Sequence, residues 1–461
     1  MRDVIVVVPG ILGSRLVRDG EEIWGLPDGI VRNLAHPAAT LALEGDGHDV
    51  DPSVNADGLV RAPVHFPGLA KVDGLRRLAR FLRQRVPSDH LLVFPYDWRL
   101  SNRVNGRLLA ALVEQWRRWS RDRDAKLVLV CHSMGGLVAR AFLDLEGGAE
   151  QCRRLVTVGT PYFGSVKALG SLVNGVYPWS GRIGERLTEL AQTWPSVYEL
   201  LPTYPAVVGP SGALASLADV DGLDRQRCHD ARAFHDELRD AVKARHGEPP
   251  PYDVTAVIGV FQPTAQFARI TSGGVQLLTE HDGVDLRGDG TVPRQGACPP
   301  EWDDDARATF FAHTHLSLPG SRRVLDHLHA VLTAVARPPL AVTAGVSIDV
   351  PEIVLEGEPF EIAAEATAPR LALRAEVVAA DGGTPEKRTL EPRDGRQVAA
   401  FHGLAPGTYL VTVSAAAPSV RGVEPVTDAF TVWPRDACGR AGGQVGFVAA
   451  AAHLRAERDA R

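Results

Sequence analysis

Up to about residue 337, short apolar runs alternate with longer stretches of helical periodicity. Val4 to Val8, Leu91 to Phe94, Leu127 to Val130, Leu155 to Val158 and Val254 to Val260 are predominantly apolar, β-branched-rich runs. Runs of this kind suit strands buried on both faces of a sheet. Between them, Gly74 to Arg85 and Val104 to Trp119 repeat apolar residues at helical spacing. Strands separated by helices imply crossover connections and a mostly parallel sheet, so the pattern predicts an α/β fold.

Two regions depart from this rhythm. The interval from about 165 to 250 holds Trp179, Trp194, Tyr198, Tyr204, several prolines and a helical stretch from Arg182 to Thr193. It is too long for an ordinary loop. Ligand crevices of parallel sheets lie beyond the strand C-termini, so the interval is expected to form a cap there. After Ala336-Arg337-Pro338-Pro339, the segments Val346 to Val350, Phe360 to Ala364, Leu371 to Val378, Gln397 to Phe401, Tyr409 to Ser414 and Phe430 to Trp433 read as short strands between turns. With no long helix among them, they predict a small all-β, immunoglobulin-like sandwich. The expected organisation is an α/β domain over 1–337, a sandwich over 341–434 and a tail over 435–461.

Composition narrows the classes of function. With 45% hydrophobic and 23% charged residues in 461, the chain is not a disordered one, and a pI near 6.2 argues against non-specific nucleic-acid binding as the main role, while the formal charge of −6 is too small to name a partner. Lys71, Lys126, Lys167, Lys243 and Lys387 are the only lysines among 50 basic residues, an imbalance that GC-rich coding would explain. Cys131, Cys152, Cys228, Cys298 and Cys438 show neither metal-ligand spacing nor the density of a disulfide scaffold. No signal segment precedes Val4, and the apolar run Val445 to Ala452 is far shorter than a membrane span of about 20 residues. A cytoplasmic protein without metal or organic cofactor is the expectation.

Three segments can carry chemistry. In the first, the apolar run Leu127 to Val130 leads through Cys131-His132-Ser133-Met134-Gly135-Gly136 into the helical pattern Leu137 to Leu145. A sharp strand-to-helix turn of this kind exposes a serine hydroxyl, and small neighbours relieve the crowding of backbones. Cys131 occupies the position where such turns usually have glycine; it lies at the strand end, not the tip, so Ser133 is the better nucleophile. A serine needs a base, and the base an orienting acid. Arg287-Gly288-Asp289-Gly290-Thr291-Val292-Pro293 supplies Asp289 in a tight turn, with Asp282 and Asp285 as weaker competitors. Phe311-Ala312-His313-Thr314-His315-Leu316-Ser317-Leu318-Pro319 offers two histidines, which would point the same way if that segment were extended. The order serine, aspartate, histidine suits a triad presented from successive strand ends. Backbone donors for an oxyanion are expected at Met134 and, from the loop Val8-Pro9-Gly10-Ile11-Leu12-Gly13-Ser14, at Ile11.

Together these segments resemble the lecithin:cholesterol acyltransferase-like family, also lysosomal phospholipase A2-like, of α/β-hydrolases. The resemblance covers roughly residues 1 to 335. It also draws on Trp24, Phe94-Pro95-Tyr96-Asp97-Trp98-Arg99, Gly159-Thr160-Pro161-Tyr162-Phe163-Gly164 and Leu200-Leu201-Pro202. It implies a bacterial member with Ser133 as nucleophile, Asp289 as acid and His315 as base, His315 being favoured over the alternative His313 by the Leu318-Pro319 that follows. It further implies an oxyanion hole at Ile11 and Met134, and a supporting role for Asp97, Trp98, Arg99 and Trp24. The paired cysteines that bound a lid loop in animal enzymes are not evident between Ile23 and Leu69. The expected activity is ester hydrolysis or acyl transfer on a hydrophobic or lipid-like ester, with water or an alcohol as acceptor and peripheral membrane contact as a candidate property. A thioesterase or peptidase on the same triad and an inactive scaffold are the alternatives.

Overall fold

The computed structural model describes residues 3–435 except 26–40, 44, 67, 74, 121–123, 175–180, 210, 246–249, 273, 284, 286, 334–344, 368–370 and 417–422, and omits the side chains of 181–184. The expected linker at 336–339, Trp179, Cys438 and all but the first residue of the expected tail lie outside the described residues.

Six strands form a wholly parallel central sheet: β1 (Val4–Val8), β2 (Leu91–Val93), β3 (Leu127–His132), β4 (Cys152–Val158), β5 (Asp253–Gly259) and β6 (Thr309–Phe311), in the spatial order β6-β5-β4-β3-β1-β2. Because strand side chains alternate faces, each central strand feeds two cores. Val4, Val6, Val8, Leu127, Leu129 and Cys131 pack on one side, and Ile5, Val7, Val128 and Val130 on the other. That double burial is why these strands are unbroken apolar runs. Only β6, three residues long, leaves too short a trace in the sequence to be recognised.

The helix expected from Val104 begins two residues earlier. It spans Asn102–Trp119, and Ser101 caps it by accepting a hydrogen bond from the Arg103 N–H. Asn102, Asn105, Leu109 and Val113 make its buried stripe, and polar residues at two of these positions hid the start. The interval 165–250 contains the helices Val166–Val173, Gly181–Thr193, Pro195–Tyr198 and Arg225–Lys243, with short strands that pair with the hairpin Phe267–Thr271/Gly274–Leu278. The longest of these, Arg225–Lys243, escaped periodicity because it buries only Ala231, Phe234, His235 and Leu238 along its 19 residues.

Beyond residue 345 two further sheets share one core. One is ordered Val346–Asp349, Phe360–Ala366, Arg396–Phe401, Glu391–Arg393; the other Ile353–Leu355, Val426–Trp433, Gly407–Ala415, Leu373–Ala379, Glu386–Thr389. Alternate residues such as Phe360, Ile362 and Ala364 face Leu373, Ala375, Val377, Val411 and Val413 across it. This core is separate from those of the parallel sheet, yet Ile353 and Trp433 pack into the latter. Polar pairs also cross the seam: Lys71 with Asp428 at 2.9 Å, Lys167 with Glu352 at 2.5 Å, and His65 with Thr431 at 3.0 Å. Among the described residues no helix is long and apolar enough to cross a membrane.

Candidate active site

Parallel pairing of β1 with β3, in the register Val8 with Cys131, places the loop after β1 beside the turn after β3. Ser133 sits in that turn with φ of 54°, a left-handed conformation rarely adopted by a residue with a side chain. Its neighbours hold it there. The Ser133 N–H donates to the carbonyl of Val158 at the end of β4, and Thr160 Oγ1 donates to the Ser133 carbonyl at 3.0 Å. Gly10 lies so close that a Cβ there would stand 2.7 Å from the Ser133 Cβ. The small residue in the Pro-Gly-x-x-Gly loop thus serves the close approach of two backbones.

Ser133 Oγ lies 2.8 Å from His315 Nε2, and His315 Nδ1 lies 2.7 Å from Asp289 Oδ2. All three residues are at least 94% buried, with exposures of 6%, 4% and 2% for Ser133, His315 and Asp289. The Asp289 carboxylate also accepts from the N–H groups of Thr291 at 2.9 Å and Val292 at 2.7 Å. Its main-chain oxygen accepts from the His315 N–H at 2.7 Å, so backbone and side chain both fix the base relative to the acid. A carboxylate at Nδ1 assigns the proton to that nitrogen and leaves the Nε2 lone pair for the serine hydroxyl.

The segment around His313 and His315 is a turn, not the extended strand in which the two rings would share a side. Ser317 and Leu318 both donate N–H bonds to the Thr314 carbonyl, and the rings diverge. His313 Nε2 pairs with Glu424 at 2.7 Å, so the alternative base stands apart from Ser133. Asp285 bonds Gln266 Nε2 and the Arg287 N–H, and Asp282 is an exposed neighbour of His281; neither meets His315. Cys131 lies within β3, and burial pushes its thiol well above the usual range, away from the thiolate a nucleophile needs.

Among the described residues, the N–H groups of Ile11 and Met134 have no hydrogen-bond acceptor in the fold. The loop carrying Ile11 is pinned by three aromatic side chains. Trp24 Nε1 donates to the Leu12 carbonyl at 2.9 Å, Tyr96 Oη to the Pro9 carbonyl at 2.7 Å, and Trp98 Nε1 to the Ser14 carbonyl at 3.1 Å. The rings of Trp24 and Trp98 meet edge to face, 5.4 Å apart. This clamp accommodates Leu12 at φ of 65°. Asp97 and Arg99 form a buried bidentate pair, and Arg99 reaches the carbonyls of Leu41 and Ala42. These residues touch the loop and its surroundings, not the serine.

Sequence reasoning left out the buried titratable groups His132, beside His315, and Glu199, at the start of the Asn102–Trp119 helix. His132 Nε2 is within 3.1 Å of the His315 carbonyl; burial, then the neighbouring His315, push its pKa down to about 3. Glu199 accepts from Ser101 Oγ and the Asn102 N–H, both at 2.7 Å, and burial pushes it up to about 7 despite those bonds. His132 adjoins the serine in sequence, but no local pattern distinguishes it as a donor to another loop. A cavity of about 670 Å³ among Tyr204, Leu217, Cys228 and His235 does not reach Ser133 or His315, so its size is no guide to an acyl pocket. Among the described residues no cluster of side chains is suited to a metal ion.

Residues 85–221 match the lecithin:cholesterol acyltransferase family. The human protein named lysosomal phospholipase A and acyltransferase is 34% identical over 84 residues, 18% of this chain and 20% of that protein. The Arabidopsis thaliana protein named phospholipase A(1) LCAT3 is 28% identical over 120 residues, 24% of this chain and 27% of that one. The chain thus spans about a fifth to a quarter of the curated relatives it matches. Among solved structures, the propeptide form of the Bacillus licheniformis lipase BlEst2 is 15% identical with a TM-score of 0.36, covering 90% of this chain and 72% of that one. Phospholipase PlaB from Legionella pneumophila is 10% identical with a TM-score of 0.32, covering 94% and 92%. Through residues 85–221, which include the Ser133 turn, the chain is lecithin:cholesterol acyltransferase-like.

Proposed function

We propose that this protein is a serine ester hydrolase or acyltransferase acting on a hydrophobic, lipid-like acyl ester. The single observation that carries the reading is the continuous hydrogen-bonded chain from Ser133 Oγ through His315 to Asp289. In the first step His315 Nε2 takes the Ser133 proton as Oγ attacks the ester carbonyl. The N–H groups of Ile11 and Met134 receive the oxyanion, while Asp289 stabilises the imidazolium. His315 returns the proton to the leaving alcohol. Water or an acceptor alcohol then gives its proton to His315 and attacks the acyl-enzyme, and Ser133 regains a proton as the acyl group departs. The lipid-like substrate class follows from the names of the relatives and from the likeness over residues 85–221.

A fluorophosphonate probe tests the nucleophile, with labelling expected in the native chain and lost in Ser133→Ala. A panel of short and long acyl esters, run with and without added alcohols, separates hydrolysis from transfer by the products formed. Unchanged ester turnover in Ser133→Ala would overturn the reading. Absence of labelling in the folded native chain would instead favour a scaffold.

A further inference from the structure

The loops that carry the acid and the base are both stitched to the C-terminal two-sheet unit, which lies outside the residues of the family match. Asp289 and Gly288 form β-bridges with Gln262. The Gln262 side chain donates to the Val346 carbonyl at 2.9 Å and accepts from the Ile348 N–H at 3.1 Å, adding its amide to that unit's first strand. Gln262 is 1% exposed, so neither bond has water as a ready substitute. On the base side, His313 Nε2 meets Glu424 at 2.7 Å, and Thr314 Oγ1 donates to the Thr427 carbonyl. Glu424 additionally faces Arg323 Nε at 3.4 Å. His315 is the next residue in the chain after Thr314.

The same seam holds two of the five lysines in the whole sequence, Lys71 and Lys167. Lys167 and Glu352, with Lys71 and Asp428, line a cavity of about 140 Å³ beside Asp289, Thr314 and His315. Burial alone would raise the Glu352 carboxyl, but Lys167, His65 and Lys71 hold it well below the usual range. The unit is therefore fastened by charge at the cavity as well as by hydrogen bonds at the two loops.

We infer that the C-terminal unit is a positioning frame for the Asp289–His315 pair, with Gln262 and Glu424 as its positioning residues. The inference rests on the triad reading above. The base must present Nε2 to Ser133 Oγ within a narrow range, and a shift of about 1 Å can cost about 10²-fold in rate. Asp289 can orient the His315 ring only while both loops keep their separation.

The test uses the full chain and the variants Glu424→Ala, Glu424→Gln and Gln262→Leu, with Arg393→Met as a control on the far edge strand of the C-terminal unit, where Arg393 pairs only with Glu361 among the ion pairs of that edge. The readouts are turnover of a p-nitrophenyl ester and the far-downfield proton resonance of the His315 Nδ1–H. Glu424→Ala and Gln262→Leu are expected to lower kcat about 10- to 100-fold with KM changed less than about twofold. The resonance should broaden or vanish with them. Glu424→Gln keeps an oxygen acceptor for His313 and should recover most of the loss, whereas Arg393→Met should leave kcat near native. Native kcat and an unchanged resonance in folded Glu424→Ala or Gln262→Leu would overturn the inference. If one of these fails to fold, the other decides together with Glu424→Gln. A native chain that neither labels nor turns over esters counts against the enzymatic reading, while the resonance still decides whether the frame positions the pair.

Discussion

His132 Nε2 stands 3.1 Å from the carbonyl oxygen of His315, and the two imidazoles tilt across one another with centroids 4.9 Å apart. For that contact to be a hydrogen bond, His132 must carry its proton on Nε2 and donate it to the carbonyl. Burial, with His315 as the second cause, keeps its pKa near 3, so His132 is neutral at neutral pH. Two adjacent imidazoles therefore have separate partners: one holds a backbone oxygen, the other bridges Ser133 Oγ and Asp289 Oδ2.

This separation sets a pH dependence. The acid limb of kcat/KM is expected to have a slope of one, because His132 stays neutral until the pH nears 3; a limb of slope two would contradict it. Stability follows the same asymmetry. The unfolded chain protonates His132 below its ordinary 6.5, and the folded chain does so only near 3, so this contribution is lost as pH falls from 6.5 towards 3. Well below 6.5 the slope is about 1.4 kcal/mol per pH unit. His132→Gln should flatten urea-unfolding free energies between pH 4 and 6 by that amount relative to the native chain.

The divergence of His313 and His315 separates their variants. His315→Ala removes the group bonded to Ser133 Oγ and should lower kcat by about 10⁴-fold or more. His313→Ala removes only the link to Glu424 and should cost about 10- to 100-fold, mainly in kcat. Steady-state ester kinetics on the two variants checks both; the reverse order of losses would show that the base is His313.

Trp24 Nε1 is the donor that holds the Leu12 carbonyl in the loop bearing the Ile11 N–H. Trp24→Phe retains an aromatic ring against Trp98 but removes the donor. A lost hydrogen bond of this kind is worth about 0.5–1.5 kcal/mol, so kcat should drop about 3- to 10-fold through a looser oxyanion donor. Comparison of kcat and KM distinguishes this from substrate binding, which should change little.

Cys131 tests the departure from glycine in the nucleophile turn. Its backbone is extended and paired with Thr157 and Val8, while the left-handed conformation falls on Ser133. The turn therefore makes no demand for glycine at 131. Cys131→Ala should keep kcat within about threefold, with a modest loss of stability from the small cavity left behind, about 1 kcal/mol. Thermal unfolding and ester turnover measure the two effects, and a collapse of activity with an intact fold would point to a chemical role for the thiol.

Local chemistry settled much of this protein before any tertiary contact was known. Strand segments buried on both faces are largely apolar, so β1, β3 and the buried ends of β4 and β5 are legible as runs. A serine at a strand-to-helix turn needs small neighbours, so Ser133 and its glycines formed a local signal. Asp289 between glycines could be recognised for the same reason. The choice between His313 and His315 was different. It depends on a turn at Thr314, closed locally by the Ser317 and Leu318 N–H groups, that gives the two rings different partners, and on Glu424 and Thr427, which bond His313 and Thr314 from more than 100 residues away. Positions such as Gln262, Glu424, Lys71 and Lys167 carry no local pattern at all. Their meaning comes from the seam between the parallel sheet and the C-terminal sheets, where burial makes each polar side chain depend on a partner that only the folded chain brings near.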